Sequence, residues 1–507
     1  MPAREAEPRT THRTPLSVTD PFTDRSMRHV VIVGGGYSGA SMAIQLARRS
    51  ASKLAITVVE SRPDVGYGLA YSTDDPDHRL NGTAGTHLVD PMDPEEFTRW
   101  CIEQTIARGD PEAVASGGTL FVRRRDFGRF VADAFRQQVR AQNGGGRLRH
   151  VQDRAIDMIA KAAGVEITTQ GGARLATDLV VIATGNAPSR FPVSLAPELA
   201  SHPGVIGEPL EFARIRAIDK NARVLVLGTG LTALDVMTTL VRGGHEGPIT
   251  AISPHGLRPR PHRRTSEAQE VASGSSMLQR IDGPIAPFIR DIPSPITARG
   301  LVDALRRRVR EASDEGESWY APFDAFRDPL WQVWPGLDLR EKKRILRHAR
   351  RWYDVHRFRA PPQNETIVRE AEQRQHVAFR AARVCSIAAG SRGATLRVEL
   401  VDSVTRAMRT QTFDAVLNCS GLDHASGVTS NPLLASLARQ GLLQRDPTGI
   451  GFSVDRECRP LGTAGTACDR LRIIGPPTAG VFGDPLGAMF IAAQIRRIVP
   501  GILAHPY

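Results

Sequence analysis

Two glycine-rich turns, each set between an apolar run and a helix-like stretch, constrain this chain more than any other feature. The first is Gly34-x-Gly36-x-x-Gly39 after His29-Val30-Val31-Ile32-Val33, and the second is Gly228-x-Gly230-x-x-Ala233 after Val224-Leu225-Val226-Leu227. Each apolar run reads as a buried parallel strand, so strand, turn and helix occur twice in the order that a dinucleotide-binding unit requires. Gly34 and Gly228 permit the tight turn, and Gly36 and Gly230 let a pyrophosphate reach the backbone. Gly39 lets the helix pack on its strand, a place that the small Ala233 takes in the second copy. The first-turn amides of each helix then face the phosphate charge. Ser38 and Thr232, inside the two turns, join these residues as candidate cofactor contacts. The predicted class is α/β, with two Rossmann-like dinucleotide-binding domains and a mostly helical insertion.

The two sites differ at the strand after the helix. Glu60 closes the run Ala55-Ile56-Thr57-Val58-Val59, where a carboxylate accepts hydrogen bonds from a ribose diol and repels a 2′-phosphate. This points to FAD or NAD, and FAD is the usual occupant of an N-terminal copy. The equivalent run Ile249-Thr250-Ala251-Ile252 ends in neutral Ser253, and a cation-rich segment runs on to Arg264. Arg258 and Arg263 are its candidate ligands for a 2′-phosphate, so NADPH is expected, with NADH as the alternative.

Other segments carry a family resemblance. Ala183-Thr184-Gly185 after Leu179-Val180-Val181-Ile182 is similar to the segment where two-dinucleotide flavoproteins leave the FAD domain, and Asn418-Cys419-Ser420-Gly421 resembles the return crossing. More specific are Gly66-Tyr67-Gly68-Leu69-Ala70-Tyr71-Ser72-Thr73, Arg79-Leu80-Asn81-Gly82, Asp90-Pro91-Met92-Asp93-Pro94 with Phe97 and Trp100, Phe121 to Gly128, and Trp352 to Arg359. In this order they resemble a bacterial FAD/NAD(P)-binding family that includes FAD-dependent urate hydroxylases and aspartate N-monooxygenases. The resemblance covers about Arg28 to the C-terminus. The chain departs from a fuller Leu-Asn-Val-Pro-Ala-type segment at Asn81-Gly82-Thr83-Ala84, and Val205 to Glu211 lacks the histidine of Baeyer–Villiger monooxygenases.

The resemblance implies that Asp484 contacts the ribityl chain and that Asn81 lies by the flavin ring. It also implies an activity. NADPH reduces FAD, and the reduced flavin activates O₂ as a C4a-hydroperoxide that hydroxylates a small polar or anionic substrate, urate-like or an amino acid. An anionic substrate suits arginine, so Arg123, Arg125, Arg357 and Arg359 are the candidate ligands, each with a structural role as the alternative. His356 and Arg357 are the candidate catalytic residues, although a packed histidine is the plainer reading of His356. Two rivals stand beside the monooxygenase: a flavin reductase or dehydrogenase without oxygen insertion, and a redox-sensing module that only binds nucleotides.

The expected domains are a disordered tail over 1–27, an FAD domain over 28–203 plus 413–507, an NAD(P)H domain over 204–264 plus 376–412, and the insertion over 265–375. A net charge of +12 raises nucleic acid as a partner. The basic clusters at Arg306-Arg307-Arg308 and Lys342-Lys343-Arg344 alternate with Leu301, Leu305, Ile345 and Leu346, however, which predicts helices with one solvated face and no nucleic-acid surface. Five cysteines without a C-x-x-C pair and without a signal peptide suggest a reducing cytoplasm and argue against a dithiol reductase. No metal site and no membrane span are expected.

Overall fold

The computed structural model describes residues 27–50, 54–141, 147–161, 164–263, 273–390, 395–421, 427–484 and 486–505. The tail expected over 1–27 lies outside these residues except for Met27, as does Arg264. The first sheet is parallel throughout, built from β1 (Arg28–Val33), β2 (Leu54–Glu60), β3 (Leu148–Gln152), β7 (Leu179–Ile182) and β15 (Leu471–Ile473) in the order β15-β7-β1-β2-β3. An antiparallel meander of β4 (Ala155–Lys161), β5 (Gly164–Thr169) and β6 (Arg174–Thr177) accompanies it. Val31, Ile32, Val180 and Val181 are fully buried, as expected of strands covered on both faces. The helix Tyr37–Arg49 packs on this sheet and on the helix Ala488–Ala504.

The strands of the second sheet are β8 (Val205–Ile206), β9 (Val224–Leu227), β10 (Ile249–Ser253), β11 (Val377–Ala389), β12 (Leu396–Asp402), β13 (Met408–Phe413) and β14 (Ala415–Asn418). They run in the order β13-β12-β11-β10-β9-β14-β8. The pairs from β8 to β11 are parallel, and β12 and β13 extend the sheet antiparallel. Two of the expected boundaries move. β14, which the expected bound of 413 puts in the first domain, pairs with β9 and β8, so the chain leaves this sheet only after Asn418, at the segment that resembles the return crossing. The helix Pro362–Gln373, assigned to the insertion, packs on the helix Leu231–Arg242 and on β11. It is the crossover that two adjacent parallel strands, β10 and β11, require.

What remains of the insertion is helical and has a small core of its own around Ile289, Leu301, Val333, Trp334 and Leu337. It docks on the first domain: Met277 and Ile281 pack with Met489 and Phe490, and the Trp334 indole donates to the Gly480 carbonyl at 2.8 Å. Its basic clusters do solvate a helix face, with Arg308 within ion-pair distance of Glu311, Glu315 and Glu317. No described helix is long and apolar enough to cross a membrane.

The segment from Thr73 to Arg79 joins the two domains. Thr239, on the helix after the second glycine turn, donates to Asp75 at 2.8 Å, and its hydroxyl meets the fully buried His78 at 3.0 Å. Arg124 crosses the same joint to Asp235 at 2.7 Å. Both Arg124 and Asp235 are largely buried, so the Arg124→Ala variant strands a carboxylate away from water. We expect it to cost about 3 kcal/mol in urea unfolding, with Asp235→Asn in the same chain recovering part of the loss. An unchanged midpoint in Arg124→Ala counts against a tight joint.

Candidate functional site

The same construction occurs at the carboxyl ends of both sheets. In each domain the glycine strand lies between the strand that follows its helix and a strand that ends in small residues, giving β7-β1-β2 and β14-β9-β10. Gly34 has φ +101°, and a β-carbon there would stand 2.5 Å from the Ala183 carbonyl oxygen; Gly228 has φ +125°, and its β-carbon would stand 2.1 Å from that of Cys419. Only glycine accepts both the conformation and the contact. Ala183-Thr184-Gly185 and Cys419-Ser420-Gly421 are therefore structural counterparts, each ending in a glycine of positive φ. Gly39 is tighter still, since a β-carbon would lie 1.8 Å from the Gly34 oxygen. At Gly230 nothing comes within 4 Å, so the turn is open to a ligand.

Neither helix carries a side-chain cap, Gly36 and Gly230 being the capping residues, so the first-turn amides stay available to an anion. Glu60 sits at the end of β2 and accepts from the Gly35 amide at 2.8 Å. Gly35 is itself required, because its β-carbon would strike Glu60 at 2.6 Å, a constraint that the glycine spacing alone does not reveal. Ser38 is buried, its hydroxyl against Gly475. Three buried oxygens of this domain, Thr83 Oγ1, Thr184 Oγ1 and Asp484 Oδ1, have no hydrogen-bond partner among the described residues. Unpaired buried oxygens are costly in a finished fold, and a bound polyhydroxyl chain and ring supply what they lack. The residues present thus fit FAD.

Asn81 lies in a loop clasped from several sides. Its carboxamide oxygen accepts from Arg124 at 3.2 Å and its carbonyl from the His262 imidazole at 2.7 Å, while His87 hydrogen-bonds the Thr83 carbonyl at 3.0 Å. Burial pushes both imidazoles down to about 4, so each is neutral at physiological pH. An unfolded chain takes up these protons near the ordinary value of 6.5, whereas the folded one resists until about 4. Stability from these groups is therefore complete above 6.5 and declines as the pH falls through that window. Urea midpoints at about pH 7 and about pH 5 should show the decline, and His262→Gln should flatten it. A pH-independent difference between the two proteins removes the assignment.

The arginines expected at a substrate site divide. Arg359 is buried, pairs with Asp324 at 2.5 Å and stacks on Trp319 and Tyr320, contacts that tie parts of the insertion together. Arg123 faces Asp110 at 3.2 Å, beside the fully buried Arg79–Asp110 pair, and Arg125 is exposed. His356 bonds the Trp352 carbonyl one helical turn back and meets Trp319 edge-on, with burial lowering its pKa. Of these arginines, Arg357 is the one that contacts Asp484. Its Nε lies 2.5 Å from Asp484, which also accepts from the Tyr353 hydroxyl at 2.9 Å, and its guanidinium covers Phe490. Sequence reasoning missed Tyr353 in this role because Asp484 lies 131 positions away.

In the second domain Thr232 and Ala233 lie in the first turn of the helix Leu231–Arg242, Ala233 fully buried. Arg258, expected at the 2′-phosphate, pairs with Glu372 at 2.7 Å and lies over Phe379. Arg263 is exposed. Burial raises the thiols of Cys101 and Cys458 to about 12, so neither supplies a thiolate.

Comparison with known proteins agrees with this geometry. Residues 31–187 match a family model described as FAD-NAD(P)-binding, over the stretch that holds Gly34, Glu60, Asn81 and Thr184. No curated protein matches the sequence. Among solved structures, the Kutzneria sp. 744 ornithine N-hydroxylase is similar with a TM-score of 0.62 at 16% identity, covering 94% of this chain and 99% of that one. L-lysine 6-monooxygenase from Pseudomonas syringae gives 0.62 at 17%, with the same coverage. The cadaverine monooxygenase DfoA from Erwinia amylovora gives 0.61 at 10%, covering 95% of this chain and 96% of that one. These similarities establish the two-dinucleotide-domain fold.

Proposed function

We propose that this protein is an FAD-dependent NADPH oxidoreductase that hydroxylates a small polar substrate bearing an amine, using O₂. The observation that carries the reading is the duplicated glycine turn, with an acid closing the ribose position of the first copy and unpaired buried oxygens around it. The amine is favoured because the similar structures are those of proteins named for ornithine, lysine and cadaverine. FAD, when bound, accepts hydride from the nicotinamide and activates oxygen.

The chain's own residues bind and orient. Glu60 would hold the adenosine ribose, and the amides after Gly36 and Gly230 would receive the two pyrophosphates. Asp484, whose other oxygen Arg357 and Tyr353 fix, would hold the ribityl chain with its unpaired Oδ1. Arg357 also places a positive charge beside Gly487, at the start of the helix Ala488–Ala504, where negative charge is stabilised. The insertion docks on this side and would keep water from the reacting ring. A cytoplasmic enzyme acting on a dissolved metabolite fits the reading.

Anaerobic titration with NADPH should bleach the bound flavin. Under air, ornithine, lysine, cadaverine, aspartate or urate should stimulate NADPH consumption with a product heavier by one oxygen. Reduction followed by reoxidation without any oxygenated product establishes the reductase instead. Failure of either nicotinamide to reduce the flavin leaves the binding module.

A further inference from the structure

Resting on the reading of the second domain as a nicotinamide-dinucleotide site, we infer that His255, Arg351 and Arg383 form the seat of the NADPH 2′-phosphate, so that the helical insertion takes part in choosing NADPH over NADH. In a strand–helix–strand dinucleotide unit the adenosine ribose lies at the carboxyl end of the second strand. Here that strand is β10, and Ser253 closes it without a carboxylate. Thr229, within the glycine turn, donates to Ser253 at 2.9 Å and ties the strand end to the phosphate-binding turn.

Two guanidinium groups and an imidazole converge on this point from three parts of the chain. Ser253 is in register with Ala381 on the parallel neighbour β11. Paired residues of parallel strands share a face and side chains repeat every second residue, so Arg383 projects on the Ser253 side, just beyond the strand end. Gly256 packs on Ala381, where a β-carbon would lie 3.3 Å away, which folds the loop over β11 and brings in His255. Arg351, from the insertion helix Arg350–Arg357, then donates to His255 Nε2 at 2.9 Å.

Arg351 and Arg383 are the charges that bear on His255, and neither forms an ion pair with a carboxylate among the described residues. This separates them from Arg258, which Glu372 neutralises. Two guanidinium forks and an imidazole, gathered without a counter-charge at the ribose position, match the geometry and charge of a phosphate monoester. A ribose bearing only hydroxyls leaves them unpaired. The other end of the same insertion helix holds Asp484 through Arg357, so one helix spans from the nucleotide side to the flavin side.

Calorimetric titration of the flavin-loaded full chain with 2′,5′-ADP and with 5′-ADP reads the seat directly and independently of turnover. We expect 2′,5′-ADP to bind about tenfold tighter or better, and Arg351→Ala and Arg383→Ala each to weaken it about tenfold while changing 5′-ADP less than about twofold. Arg351→Lys should recover part of the loss, and unchanged flavin absorbance and melting temperature confirm that the variants fold. Equal affinities for the two nucleotides, or variants that weaken both alike, overturn the seat while the dinucleotide reading stands. If neither nucleotide binds, that reading falls and the seat with it.

Discussion

The Gly39→Ala protein is expected to be colourless and destabilised by about 4 kcal/mol or more, although it adds a single methyl group. The new β-carbon would meet the Gly34 oxygen at 1.8 Å, a backbone atom that no rotamer change can move aside. The helix Tyr37–Arg49, buried from Tyr37 through Ala47, has to lift off the sheet to make room. Gly34→Ala should behave similarly, because it combines a contact of 2.5 Å with φ +101°. The second copy provides the control. Gly230→Ala meets nothing within 4 Å, so it should keep its stability within about 1 kcal/mol and lose nucleotide affinity instead. Urea unfolding, the ratio of flavin to protein absorbance and NADPH titration separate the three variants. A yellow, fully stable Gly39→Ala protein contradicts the packing described here.

Asp484→Ala should cost about 3–5 kcal/mol and empty the flavin site at the same time. The carboxylate is buried and serves two groups of the insertion, so its removal leaves the Arg357 guanidinium without a counter-charge and the half-buried Tyr353 without an acceptor for its hydroxyl. Burial and the adjacent Asp484 already hold the Tyr353 pKa well above its usual range, so that hydroxyl remains a proton donor. Asp484→Asn keeps the volume and an acceptor oxygen while removing the charge. It should retain more stability than the alanine variant and still bind FAD more weakly than the wild type. Retention of flavin in both variants means that Asp484 positions the insertion without touching the cofactor.

Several segments whose order carries the family resemblance turn out to hold the scaffold. Asp90 pairs with Arg48 and Arg49, Phe97 stacks on Trp100, Tyr71 meets Phe127 edge-on, and Arg79 pairs with Asp110 in the interior. His78 and Asp75 join the domains through Thr239. Such a pattern can identify a fold while leaving the substrate unread, since these side chains face one another rather than a ligand.

The sequence by itself determined the two glycine turns, the strands and helices that flank them, and the contrast between Glu60 and Ser253. Each of these depends on residues close together along the chain, where spacing translates directly into local geometry. Only the tertiary structure decided which charges answer one another. With 66 lysines and arginines against 54 acids, composition leaves the partners open. Folding gave Arg359 to Asp324, Arg258 to Glu372 and Arg357 to Asp484, and it brought Arg351 to His255 across 96 positions. An ion pair forms over a few ångströms of space, and separation along the chain says nothing about that distance until sheets and helices have packed.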